Sequence, residues 1–335
     1  MMIFPAGLGI VVFVLLPFVI SIYFSMTDQR FGSPKAPDFV GAANYERLLS
    51  IAPIVLDPLP GEAGEPLTFP RSRDIIKSTP SLKGYTEWFT FDVGEKRVAV
   101  LATDPIFMQS LLNNFWFSIA VVPIQCGLAL GLAILVNQGF SGSQVFRTIF
   151  FSPVVTSMAV ISVLWIFLYN PDVGLINRLI SWISFGHIAP VNWLGEKSTA
   201  MPAILIMSVW QGVGFQMVLF IAGLQGIPRP LYEAASIAGA NGFQQFWHVT
   251  LPGLRNTTAF VIITTTISSF RLFTQVDVMT QGGPIDHATS TVVFHAIRVG
   301  FKGLALGYAS AISVVFFLIV VAVTFGIRRL LPAND

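Results

Sequence analysis

Charge is what this sequence has least of. Of its 335 residues only 11% are Asp, Glu, Lys or Arg, against 54% hydrophobic, and the mean hydropathy is +0.73. A soluble domain carries about a quarter charged residues, so the deficit excludes an ordinary soluble globular protein and leaves a membrane protein. A net charge of +2 without any basic run gives no footprint for nucleic acid. The single cysteine, Cys126, excludes an intramolecular disulfide and, lying in an apolar segment, reads as a packing thiol. No GxxxxGKS/T occurs, so the chain has no P-loop of its own for ATP. The four histidines (His187, His248, His287, His295) show no HExxH or Cys/His ligand spacing, and His287 and His295, in one loop, read as polar surface. No cluster of nucleophile, acid/base or metal ligands suits a membrane-embedded enzyme. Internal repeats and low-complexity tracts are absent too.

What is there is long apolar sequence. Six stretches, at about 3–26, 113–136, 148–169, 200–224, 257–279 and 305–327, are long enough to cross roughly 30 Å of hydrocarbon as helices. Their prolines (Pro17, Pro123, Pro153, Pro202) are tolerable where neighbouring helices satisfy the freed carbonyls. The first stretch lacks a basic n-region and a clear cleavage site and is too long for a signal peptide, so it reads as a retained span. An even number of spans puts both termini on one side. With termini inside, Arg147, Arg229, Arg255, Arg328 and Arg329 are cytoplasmic, against Arg178, Lys197, Arg298 and Lys302 outside. That balance orients the chain only weakly.

Charge concentrates after the first stretch: residues 27–106 hold 9 of the 19 Lys/Arg and 11 of the 17 Asp/Glu. Such a segment belongs outside the bilayer, as a lobe or ordered loop. Within it, 87–93 and 96–102 are rich in β-formers around Gly94, which predicts a hairpin, and Pro-rich 53–70 reads as irregular connector.

Between the fourth and fifth stretches, residues 228–252 are too polar to cross a bilayer. Pro230 suits a first helical turn, Glu233 sits near the positive end of that helix, and Ala234, Ala235 and Ala238 are small. Gly239 and Asn241-Gly242 redirect the chain before a second short run bearing Phe243, Phe246 and Trp247, which Leu251-Pro252 ends. Glu233-Ala234-Ala235, Gly239, Val249 and Leu251-Pro252, at this spacing, resemble the cytoplasmic coupling loop of permease subunits of bacterial ABC importers. Further likenesses are Phe39-Val40-Gly41, Asn44-Tyr45, Asp104, Phe107, Asn113-Asn114, Phe146-Arg147-Thr148 and Gly282-Gly283-Pro284, and they are nearest to the maltose-type, carbohydrate-uptake branch.

The resemblance implies an all-α polytopic membrane protein: six transmembrane helices of ABC importer permease type with a small extracytoplasmic insertion. The implied organisation is a first helix in 1–26, an extracytoplasmic lobe in 27–106 with the insertion at about 51–103, and a five-helix core in 107–335 carrying the coupling loop. It implies a bacterial cytoplasmic (inner) membrane location with both termini cytoplasmic. Implied partners are a second, homologous permease subunit, two ATPase subunits, an extracytoplasmic solute-binding protein and a small-molecule solute. No cofactor is expected on this chain, ATP and Mg being held by the ATPases. Coupling roles fall to Glu233, Ala234, Ala235, Gly239, Phe243, Leu251 and Pro252.

The same resemblance to the maltose-type permeases implies solute contacts on two spans, around Trp210, Gly212 and Phe215 and around Phe270 and Arg271. The fourth carries Trp210, Gln211, Gly212, Phe215 and Gln216, aromatics for a sugar's C–H face and amides for its hydroxyls. In the fifth, Thr264, Ser268, Arg271 and Gln275 recur at helical spacing as one polar stripe, with Phe270 beside Arg271. An arginine in a span faces a cavity or a partner, so Arg271 reads either as lining a solute path or as an interhelical clamp. The alternative reading, a secondary ion-coupled transporter, needs acids in its spans, and Asp277, near a span end, is almost the sole candidate.

Overall fold

The computed structural model describes residues 3–59, 68–139 and 141–330. The first apolar stretch is helix α1, formed by Ile3–Ile10, a π-helical segment Val11–Leu15, and Leu16–Ser25. Strands β1 (Ile51–Leu56), β2 (Thr86–Val93) and β3 (Lys96–Ala102) follow. The remaining apolar sequence forms α2 (Pro105–Asn137), α3 (Ser143–Val155), α4 (Met158–Leu168) and α5 (Lys197–Gln225). After α6 (Arg229–Ile237) come α7 (Arg255–Phe270), α8 (Thr274–Met279) and α9 (Leu306–Leu330). Among the described residues, four helices are long and apolar enough to cross a membrane, or five if α3 and α4 count as one bent span.

Two predicted spans are broken. The stretch 148–169 bends by 103° between α3 and α4, where Thr156 is extended and Ser157 also leaves the helical conformation. Pro153, three residues before the bend, has no N–H to give the ladder, and the Thr156 N–H turns back to the Pro153 carbonyl (3.3 Å) while its hydroxyl bonds the Ser152 carbonyl (3.4 Å). The stretch 257–279 breaks between Phe270 and Thr274, because Asn114 Nδ2 donates to the Phe270 carbonyl (3.3 Å) and the Arg271 N–H turns back to Ser268 (3.1 Å). Two carbonyls are thereby satisfied outside the regular i to i−4 ladder, and the helix ends.

The chain divides into two compact units: residues 1–112 with 290–318, and residues 113–289 with 319–335. In the first, β2 and β3 pair antiparallel as the predicted hairpin, and β1 pairs with the other side of β3, Ile51 opposite Ala102. This sheet corrects the reading of 53–70, whose start is strand, and the all-α expectation in this segment; residues 60–67 lie outside the described residues. Leu56, Ala99 and Leu101 form its small core under Phe69, Ile75 and Tyr85. His295, read from sequence as surface, is buried instead: its Nε2 lies 2.9 Å from Asp104, which also accepts from the Tyr308 hydroxyl (2.8 Å). In the second unit, Cys126, Ala129, Ala133 and Val136 of α2 pack with Val213, Met217, Phe220 and Leu224 of α5 and with Val261 of α7. Small residues on one helix against large ones on the next allow that close approach.

Candidate functional site

The segment after α5 folds as two short helical pieces. Pro228 precedes α6 in extended conformation and Pro230 sits in its first turn, where a missing N–H costs nothing. Gly239 has φ +81°, a left-handed conformation that closes the helix end and that side chains rarely adopt. Asn241 then caps Gly242–Gln245: its side chain accepts from the Gln244 N–H, and the Gln244 side chain accepts from the Asn241 N–H, at 3.0 and 2.8 Å. The elbow between the pieces is held by Gln245, whose Nε2 donates to Ala240 O and Ser236 Oγ, and by the Tyr232–Thr250 hydroxyl pair at 3.0 Å. Leu251 and Pro252 lie in the short helix Leu251–Gly253 that leads into α7.

The outer face of this elbow is apolar and uncovered. Ile237 is 89% exposed and Phe243 71%, with Leu231 and Trp247 about half exposed. Glu233 and Ala234 are exposed and Ala235 is half-buried. A concavity of about 280 Å³ is lined by Ala235, Ala238, Gly239, Ala240, Gln244 and His248. The elbow thus combines exposed large apolar side chains with a cleft lined mainly by small residues.

A second concavity, about 240 Å³, lies inside the second unit. Gln211, Gly212, Phe215, Ser268 and Gln275, from α5, α7 and α8, all line it. The other three predicted solute residues do not. Trp210 is half exposed and edge-on to Trp165, with ring centroids 5.7 Å apart. Phe270 is buried against Phe115, and Arg271 is exposed at the break between α7 and α8. The four-residue polar stripe is therefore not one helical face, since Thr264 and Ser268 precede the break and Gln275 follows it.

Gln216 of α5, named above with the fourth-span amides, also lines the cavity, and among the polar liners that were not anticipated are Gln125 of α2 and Thr265 of α7. Gln125 Nε2 donates to Gln216 Oε1 (2.9 Å), and Gln216 Nε2 donates to Thr265 Oγ1 (3.2 Å). An amide within an apolar span is the sequence signal that points to Gln125, because an unpaired amide there costs free energy. Among the described residues no group of three His, Cys, Asp or Glu could hold a metal ion.

The family model described as binding-protein-dependent transport system inner membrane component matches residues 125–333. The diacetylchitobiose uptake system permease protein NgcF of Streptomyces coelicolor is 32% identical over 269 residues, covering 75% of this chain and 76% of that protein. The sn-glycerol-3-phosphate transport system permease protein UgpA of Yersinia enterocolitica is 33% identical over 235 residues, 69% of this chain and 77% of that one. In fold, the chain is similar to a solved chain of a bacterial ABC transporter involved in the import of the acidic polysaccharide alginate. The TM-score there is 0.68 at 16% identity, over 98% of this chain and 93% of the other.

Proposed function

The chain belongs to the binding-protein-dependent transport system inner membrane components, and from that premise we propose that it is the permease subunit of an ATP-driven importer for a sugar, oligosaccharide or glucoside-like solute. The observation that carries the reading is the uncovered apolar elbow after α5, a rigid relay with no chemistry of its own. Two ATPase subunits, holding ATP and Mg, receive the elbow in a groove: Phe243 and Trp247 anchor, Ala234 and Ala235 permit close approach, and Glu233 meets a basic group. Movement of the ATPases then displaces the elbow and shifts the spans between inward- and outward-open states. The bias between those states comes from differential ATPase contacts, since a ligand shifts a conformational equilibrium only by its difference in affinity. A second permease subunit and an extracytoplasmic solute-binding protein complete the assembly, and both termini face the cytoplasm of a six-span chain. Counting the bent α3–α4 pair and the broken α7–α8 pair as one span each gives that number.

Sugar chemistry is supported by the cavity, whose polar liners are amides and hydroxyls without an acid or a base, set among Phe117, Phe215 and aliphatic side chains. The named cargo of NgcF agrees, and that of UgpA extends the class to a phosphorylated polyol. In vesicles reconstituted with all subunits, uptake of a disaccharide is expected to require ATP and external binding protein. Glu233→Lys is expected to cut it at least tenfold while leaving the chain inserted, a basic group meeting a basic one. Uptake driven by an ion gradient without ATP would instead establish a secondary transporter, and chemical conversion of the solute an enzyme.

A further inference from the structure

Gln125 is nearly buried at 6% exposure, yet it lines the cavity. Its amide nitrogen is committed to Gln216, and Gln216 is committed in turn to Thr265, so the series runs in one direction across α2, α5 and α7. No described residue donates to the other end, Gln125 Oε1, and that oxygen is not among the sealed, partnerless polar atoms. The sequence keeps space for this amide. A Cβ on Gly212 would stand 2.2 Å from Gln125 Nε2, a contact no side chain tolerates. The cheapest accommodation of a methyl there moves the amide, which is the far end of a flexible side chain, and so breaks its bond to Gln216.

We infer that Gln125 is a specificity-determining residue of the solute path, its amide oxygen held by the Gln216–Thr265 series to accept a hydrogen bond from a hydroxyl or N–H of a neutral, hydroxylated solute. The inference rests on the reading of the cavity as that path. One of the two amide hydrogens is used on Gln216, and the free oxygen takes a solute O–H or N–H. A site of this kind rejects an analogue lacking the donor, because the acceptor is left unpaired. If the three residues served only to clamp the helices together, Oε1 would need no access to water.

Because Cys126 is the single cysteine, Cys126→Ala gives a thiol-free background. Gln125→Cys and Ser268→Cys are introduced separately in the complete assembly with its ATPases and binding protein, and each is reacted with the charged reagent methanethiosulfonate ethyltrimethylammonium. Reaction at both positions is expected. Reaction at 268 with none at 125 overturns the inference and leaves the path standing; reaction at neither overturns the path itself. Reaction at 125 alone supports the inference and removes Ser268 from the path. A second measurement reads selectivity, using whichever of cellobiose, maltose or diacetylchitobiose the unaltered assembly carries fastest. Gln125→Met, equal in length but without an acceptor, is expected to lower its uptake about tenfold, one lost hydrogen bond. Gly212→Ala, which displaces the amide from Gln216, is expected to fall with Gln125→Met. Unchanged uptake in Gln125→Met overturns the inference. If the unaltered assembly carries none of the three sugars, the solute class above is wrong, and the labelling alone decides Gln125.

Discussion

Asp104 stands immediately before α2, with Oδ1 accepting the Phe107 N–H (2.9 Å) and Oδ2 shared by Tyr308 and His295. Burial works against ionisation of its carboxyl, but the His295 hydrogen bond and charge, the Phe107 N–H and the Tyr308 hydroxyl together outweigh it, and the pKa lies below the ordinary carboxylate value. A lowered folded-state pKa makes ionised Asp104 stabilising above the unfolded value of about 3.9, a contribution lost as pH falls through the folded value. Asp104→Asn is therefore expected to lower stability by about 2 kcal/mol at pH 7, the worth of a charged hydrogen bond. The gap from the unaltered chain should close as pH drops below the ordinary carboxylate range. Thermal unfolding of both in detergent across that range checks it, and a gap independent of pH would count against ionised Asp104 as its source. Asp104 was visible in sequence only as part of a family landmark. His295 was misread because its partner is 191 positions away, where no local pattern can connect them. Gln125 and Thr265 escape a sequence reading for the same reason: spacing along one helix says nothing about which polar side chains meet across three.

Elements were legible where hydropathy alone decides, and least legible where a side chain from elsewhere interrupts them. The windows in α1, α2, α5 and α9 have mean hydropathies of 1.9 to 2.6 and follow the apolar runs closely. The breaks after Val155 and Phe270 were missed, since the second depends on Asn114 of another helix capturing a carbonyl. In the elbow after α5, by contrast, proline, glycine and the Asn241 cap are local signals, and sequence placed its two pieces correctly. Gly239 gives that element a clean test. A Cβ there meets nothing within 4 Å, so a substitution changes only the backbone preference at φ +81°. Valine in the left-handed region costs on the order of 1–2 kcal/mol, whereas asparagine tolerates it better. Gly239→Val is expected to insert normally but to lose at least tenfold in ATP-driven uptake and in co-purifying ATPase, with Gly239→Asn between it and the unaltered chain. Equal behaviour of the two variants would show that the conformation at 239 does not matter to coupling.

At the scale of the whole molecule, the segment 51–103 is built to be separable from the rest of its unit. Its ends meet: Ile51 pairs with Ala102, and the Thr103 N–H donates to the Ser50 carbonyl at 3.2 Å. Chain ends that close are spanned by a linker of two or three residues at little cost in loop entropy. The segment also carries its own core of Leu56, Ala99 and Leu101, and its Arg97 is spent internally, on Asp92 and over the Phe69 ring. The Asp104 cluster and the Arg47 guanidinium over Tyr308 use residues outside it. Replacing 51–103 by a short Gly-Ser linker is therefore expected to leave membrane insertion, subunit assembly and ATP hydrolysis in detergent intact. The rate-limiting loss should appear only in uptake that depends on the external binding protein. Size-exclusion profiles of the assembled complex, together with uptake at saturating and limiting binding protein, make the measurement. A defect confined to limiting concentration assigns the segment to docking, and no defect makes it a tolerated insertion. Collapse of the assembly would refute separability, and with it the reading of 51–103 as an addition to an otherwise complete permease.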